Sequence, residues 1–197
     1  MTRIFSILVV ISSLISLTLL CFNIPENNYK VPISLKNYTE LSLSGDLPLG
    51  SPFGSKGLKY TQITTYFNDP SYFIRFGIWH KALDLIPSAR YYQDSEAYKQ
   101  TKLPIIFATC NGSAISAVDP YGANFITIIC ANTNYKVEFV HESQVFIGTN
   151  FIKVRAGEPL GIMGATGKAF GAHVHYAIYQ KEGDKYQAID PLTFLTS

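Results

Sequence analysis

The chain has 197 residues, of which 15 % are charged, 47 % hydrophobic and 14 % aromatic, so it holds one domain with a real core or two small ones. A disordered or coiled-coil chain is excluded. Sixteen basic against fourteen acidic residues leave a net charge of +2 with the histidines neutral, too little for neutralising phosphates, and no nucleic acid is expected as a partner.

At the N-terminus, Arg3 precedes an uncharged stretch from Ile4 to Pro25, and its apolar part, 4–22, is long enough to span a bilayer as a helix. Residues 1–23 are therefore expected to form an N-terminal hydrophobic helix, either a transmembrane anchor or a signal peptide. The exit Leu19-Leu20-Cys21-Phe22 offers no small-residue cleavage site, which favours an uncleaved anchor. With positive charge kept inside, the remainder is expected to be exported: membrane-anchored and facing the periplasm or cell exterior, or secreted if the segment is cut. Residues 24–54, rich in Asn, Pro and Gly, read as a tether and lead-in.

From Leu58 onward, runs of Thr, Tyr, Phe, Ile and Val are broken by Gly, Asn, Asp and Pro. Strands are expected at 59–67, 72–78, 104–108, 114–118, 123–131, 136–141, 151–154, 159–163 and 174–180. Their spacing predicts a mostly β domain, an antiparallel sheet or sandwich. Only 88–103 has helical character. Cys110 and Cys130 fall on or beside expected strands in a compartment that permits disulfides. The sequence leaves open whether they are bonded or are two buried thiols.

The four histidines carry the chemistry. His173 and His175 alternate with Ala172, Val174 and Tyr176, so both point to one face of a strand, roughly 6–7 Å apart. His80 and Asp84 are four apart, about 13 Å on a straight strand, so a shared ion requires the chain to bend after the expected strand 72–78. Either motif alone is weak. Together they supply two imidazoles and a carboxylate, a three-ligand set that leaves a position for water, the catalytic form of a zinc site. His141 ends the expected strand 136–141 and falls to the same constellation.

The order His80-x-x-x-Asp84, His141, His173-x-His175 resembles the lysostaphin/LytM-type zinc metallopeptidases that cut peptidoglycan. Pro104-Ile105-Ile106-Phe107-Ala108, Ala156-Gly157-Glu158-Pro159-Leu160-Gly161 and Gly171-Ala172-His173-Val174-His175-Tyr176 are similar to further motifs of that family. The resemblance covers 55–193, and 55–197 is expected to be the peptidase domain, with a narrow groove and an insertion at 88–103. It implies one Zn2+ held by His80, Asp84 and His175, with His141 and His173 as non-ligand catalytic histidines. One of these takes a proton from metal-activated water and the other serves the oxyanion or the leaving amine; His141 is favoured as base. The implied function is a zinc-dependent endopeptidase cleaving peptide crosslinks or stem peptides of bacterial peptidoglycan. A catalytically silent wall-binding module, and a zinc peptidase for other extracellular peptides, stand as alternatives.

Three departures from the family pattern are present. Ala82 stands where the family usually has Gly, Glu142 follows the catalytic histidine, and 88–103 is inserted, with tyrosines suggesting a groove wall or lid. The stretch Gly161-Ile162-Met163-Gly164-Ala165-Thr166-Gly167-Lys168-Ala169 is no phosphate loop. It lacks the first glycine and the hydroxyl residue after lysine, so no nucleotide is expected.

Overall fold

The computed structural model describes residues 45–196. The expected N-terminal helix at 1–23, and 24–44 of the expected tether, lie outside the described residues. Among the described residues no helix is long and apolar enough to cross a membrane.

In chain order the elements are β1 (Thr61–Thr65), α1 (Pro70–Phe76), β2 (Leu83–Pro87), α2 (Ala89–Asp94), α3 (Glu96–Thr101), β3 (Ile105–Phe107), β4 (Gly112–Val118) and β5 (Asn124–Cys130). They continue as β6 (Tyr135–Val140), β7 (Gln144–Val145), β8 (Ile152–Val154), β9 (Pro159–Ile162), β10 (Val174–Glu182), β11 (Lys185–Ile189) and α4 (Leu192–Leu195). The main sheet runs β1-β2-β10-β6-β5-β4-β8, with β11 also on β10, and a small sheet runs β3-β9-β7. Every pairing is antiparallel.

Alternation along the central strands sorts their side chains. Leu83 and Leu85 of β2, Val174, Tyr176 and Ile178 of β10, Val137 and Phe139 of β6, and Ile126 and Ile128 of β5 are all fully buried in one core. Each such aliphatic or Phe side chain contributes about 1.5–3 kcal/mol. The intervening residues of β2 and β10, Asp84 and His175, face the other way. Phe53 is also fully buried in this core, so the folded unit takes in residues N-terminal to 55.

Eight of the nine expected strands are present, with ends displaced by at most two residues. The exception is 72–78, which is helical. Its aromatic and β-branched residues read as a strand, but terminal signals outweigh them. Asp69 caps α1 by accepting hydrogen bonds from the backbone N–H groups of Ser71 and Tyr72 at 2.7 and 3.2 Å, and Pro70 opens the helix. Gly77 closes it at φ 72°, a left-handed position that suits glycine. The expected bend after a strand is therefore a turn after a helix: His80 precedes β2 and Asp84 lies within it.

The stretch 88–103 is helical, as α2 and α3, and none of its residues lines the groove over Asp84. Tyr91 turns inward and is fully buried, its ring against Phe53 and Tyr60 at 5.7 and 5.9 Å. Its hydroxyl accepts from the Ile105 N–H at 3.0 Å and donates to the Leu103 carbonyl at 3.1 Å, which ties α2 to β3. β2, β7, β11 and α4 were not foreseen. Leu83–Pro87 is too short, and too close to a helical stretch, to declare itself by pattern.

Cys110 and Cys130, 20 positions apart in sequence, form a disulfide, both side chains in the core. It joins the start of β4 to the end of β5, beside the pairing of Gly112 with Cys130. Closing a loop of this length is worth about 3 kcal/mol. The double variant Cys110→Ala/Cys130→Ala is expected to lose roughly that much in urea unfolding; an unchanged midpoint would contradict the assignment.

Candidate metal centre and flanking histidines

The pairing of β2 with β10 sets Asp84 directly opposite His175, and β6 pairs on the other side of β10 with Val140 opposite His175. The residue after Val140 is His141. The turn after α1 brings His80 back over the same face. All five expected site residues thus meet at one place.

Three donor atoms converge there. Asp84 Oδ1 lies 3.1 Å from His80 Nε2 and 3.0 Å from His175 Nδ1, and these two nitrogens are 3.1 Å apart. His80 is buried, with the Asp84 side chain 13 % and His175 29 % exposed. His80 Nδ1 donates to the Tyr66 carbonyl at 3.0 Å, so its Nε2 presents a lone pair inward. The three atoms hydrogen-bond one another only through whatever ring protons they carry, whereas a cation would engage a lone pair of each at once. At metal–ligand bonds of 2.0–2.2 Å, neighbouring ligands in a tetrahedral zinc site are roughly 3.3–3.6 Å apart, so small shifts suffice for the three to hold zinc. Burial favours the neutral form of each group, yet their mutual contacts prevail. Asp84 is held below its usual range by its hydrogen bonds to His175 and His80, and His80 is raised by the Asp84 carboxylate.

His141 and His173 flank this cluster, their rings 4.8 Å apart. His141 Nδ1 donates to the Thr166 carbonyl at 2.8 Å and His173 Nδ1 to the Gly171 carbonyl at 2.8 Å, leaving each Nε2 for chemistry. His173 Nε2 is 3.5 Å from Asp84 Oδ1. Burial lowers the pKa of His141, and a positive His173 beside it would lower it further, against the raising effect of the Thr166 hydrogen bond. The net direction favours the neutral ring.

His141 sits at φ 83°, a left-handed conformation that costs a non-glycine residue of order 1–3 kcal/mol. Thr166 does much to impose it. Its N–H donates to the His141 carbonyl, its carbonyl accepts from the His141 ring, and its hydroxyl donates to the Glu142 carbonyl at 3.0 Å while accepting from the Asn124 N–H at 3.0 Å. Gly164 bridges to His173, and a Cβ there would lie 2.2 Å from the Ser143 backbone nitrogen. The sequence marks these glycines for tight turns and close approach near the site, as Gly164 shows, but no motif spacing marks Thr166.

Family membership follows from comparison. A profile described as Peptidase family M23 matches residues 93–191, and the chain belongs to that family. The match takes in His141, His173 and His175, while His80 and Asp84 join them through the fold. The lysostaphin solution structure superposes with a TM-score of 0.54 at 20 % identity, over 75 % of this chain and 55 % of that one. Lysostaphin from Staphylococcus simulans gives 0.53 at 19 %, over 71 % and 50 %. The SpoIIQ–SpoIIIAH pore-forming complex gives 0.53 at 18 %, over 78 % and 92 %. The chain spans about half the length of lysostaphin. At these identities the likeness establishes the fold, mostly antiparallel β as expected. No curated protein matches the chain.

Glu142, beside His141, is fully buried and neither carboxyl oxygen has a hydrogen-bond partner. Burial pushes its pKa up to about 8, from 4.5 when exposed. The folded state then holds a proton that the unfolded state has released, so this group's contribution to stability falls as pH rises from 4.5 through about 8. Glu142→Gln keeps the shape and removes the ionisation. Melting curves at pH 5 and pH 8 should show a smaller loss of Tm in this variant than in the wild type; equal losses would contradict the assignment.

Proposed function

We propose that the protein is a zinc-dependent endopeptidase that cleaves peptide crosslinks or stem peptides of bacterial peptidoglycan. The observation that carries this is the convergence of His80 Nε2, Asp84 Oδ1 and His175 Nδ1 beside His141 and His173, whose rings are anchored through Nδ1. His80, Asp84 and His175 would hold one Zn2+. When bound, zinc supplies Lewis acidity toward a carbonyl and draws the pKa of water toward neutrality. His141, kept neutral by burial and oriented by Thr166, accepts the proton of the attacking water at Nε2. His173, oriented by its Nδ1–H on the Gly171 carbonyl, serves the developing oxyanion or the leaving amine in its protonated form, and the proton that His141 takes from water replaces the one given to the amine.

The substrate lies in a groove of about 540 Å³ that opens over Asp84, His141 and His173. Export supports a wall substrate, and the Cys110–Cys130 disulfide suits an oxidising compartment outside the cytoplasm. The reading includes membrane attachment through residues 1–23 if that segment is not cut. It has no place for nucleotide or nucleic acid.

The test is mass spectrometry of muropeptides released from purified peptidoglycan by the full chain, with His175→Ala alongside. Peptide-cleaved fragments with the wild type alone are expected, and they name the bond. No fragments from a preparation with one zinc per chain would overturn the enzyme in favour of a silent wall-binding module. Cleavage of proteins but not wall would overturn the substrate.

A further inference from the structure

The groove has two walls of different origin. One is helix α1, which contributes Tyr72, Arg75 and Phe76; the other is the segment that leads into His173, which contributes Lys168 and Phe170. The guanidinium of Arg75 lies 5.0 Å from the Phe76 ring centre and 4.8 Å from that of Phe170. These two rings stack on each other at 5.7 Å with planes 29° apart, although Phe170 is 82 % exposed. Arg75 thus bridges the walls at one end of the groove, held by ring contacts that use its charge without consuming its N–H donors.

The charges around it are unbalanced. Among the described residues, neither Arg75 nor Lys168 takes part in an ion pair. Lys168 places its ammonium 3.6 Å from the Tyr121 ring centre, again an aromatic contact. The two carboxylates that line the groove are committed elsewhere: Asp69 caps α1, and Asp84 belongs to the candidate metal set. What is left for a ligand is a planar fork of donors with a second cation on the facing wall. A guanidinium in that state matches a carboxylate bidentately.

We infer that Arg75, assisted by Lys168, forms a carboxylate-binding subsite beside the metal centre, so that the protein selects peptides bearing a free carboxylate near the bond to be cut. This rests on the proposed peptidase function and narrows its substrate class. The carboxylate belongs either to an acidic residue within the peptide or to the terminus of a short strand. Phe170 positions the guanidinium rather than touching the carboxylate.

The experiment uses the full chain and three matched crosslinked wall peptides: one with all carboxyls free, one amidated only at its terminus, and one amidated only at its internal acidic residue. Cleavage of the free form should exceed that of one amidated form by roughly ten- to a hundred-fold, the worth of a charge-assisted hydrogen bond, and which form fails identifies the source. Arg75→Gln should bring that ratio close to one, and Arg75→Lys should retain part of it. Equal cleavage of all three by the wild type, or a preference that survives Arg75→Gln, overturns the inference and leaves the peptidase function standing. If no peptide is cut, the peptidase function fails, and fluorescence polarisation with the same peptides decides the subsite by itself. Tighter binding of the free form that Arg75→Gln abolishes supports it, and equal binding overturns it.

Discussion

The register between β2 and β10 is the constraint on which the site depends. Asp84 faces His175 as a direct partner across two antiparallel strands, and both side chains emerge on the groove side. The opposite faces of the same strands carry Leu83, Leu85, Val174 and Tyr176, all fully buried. A slip by one residue would expose these four and bury the carboxylate and imidazole, so hydrophobic burial enforces the pairing that the chemistry needs. The remaining groups hang from that pair. His173 lies two residues before His175, and His141 ends the strand that lines β10 on its other side.

Around this pair the chain tolerates local conflict. His141 holds a left-handed backbone, and Glu142 buries a carboxyl with no partner, two costs in adjacent residues beside the groove. The side-chain hydrogen bonds that Thr166 and Asn124 donate to the Glu142 carbonyl, and the close approach of Gly164 to Ser143, hold the segment in place. Strain of this sort persists where the surroundings over-determine it, and it fixes the direction of the His141 ring. The sheet supplies the rigidity and the glycine-rich strap supplies the aim.

Much of this was legible in the sequence because its signals are local. Strands such as β5 and β6 alternate cleanly, and four histidines in a chain with so few charged residues invite a common explanation. The disulfide was an open choice, since no pattern shows that two sulfurs meet. Tyr72, Phe73, Ile74 and Phe76 favour a strand, whereas the signals that make α1 a helix lie at its ends, in Asp69, Pro70 and Gly77. For 88–103 the sequence cannot tell a tyrosine that lines a groove from one, like Tyr91, that fills a core. Arg75 and Phe170 are far apart in sequence, and only the folded chain brings them together at the groove.

X-ray absorption at the zinc edge of the purified protein tests the central claim most directly, since it reports the ligands themselves. One zinc per chain is expected, with nitrogen and oxygen neighbours only, at about 2.0–2.2 Å, two of them imidazoles, and with that signature lost in Asp84→Ala. A first shell containing sulfur, or a zinc signature unchanged in Asp84→Ala, would contradict it.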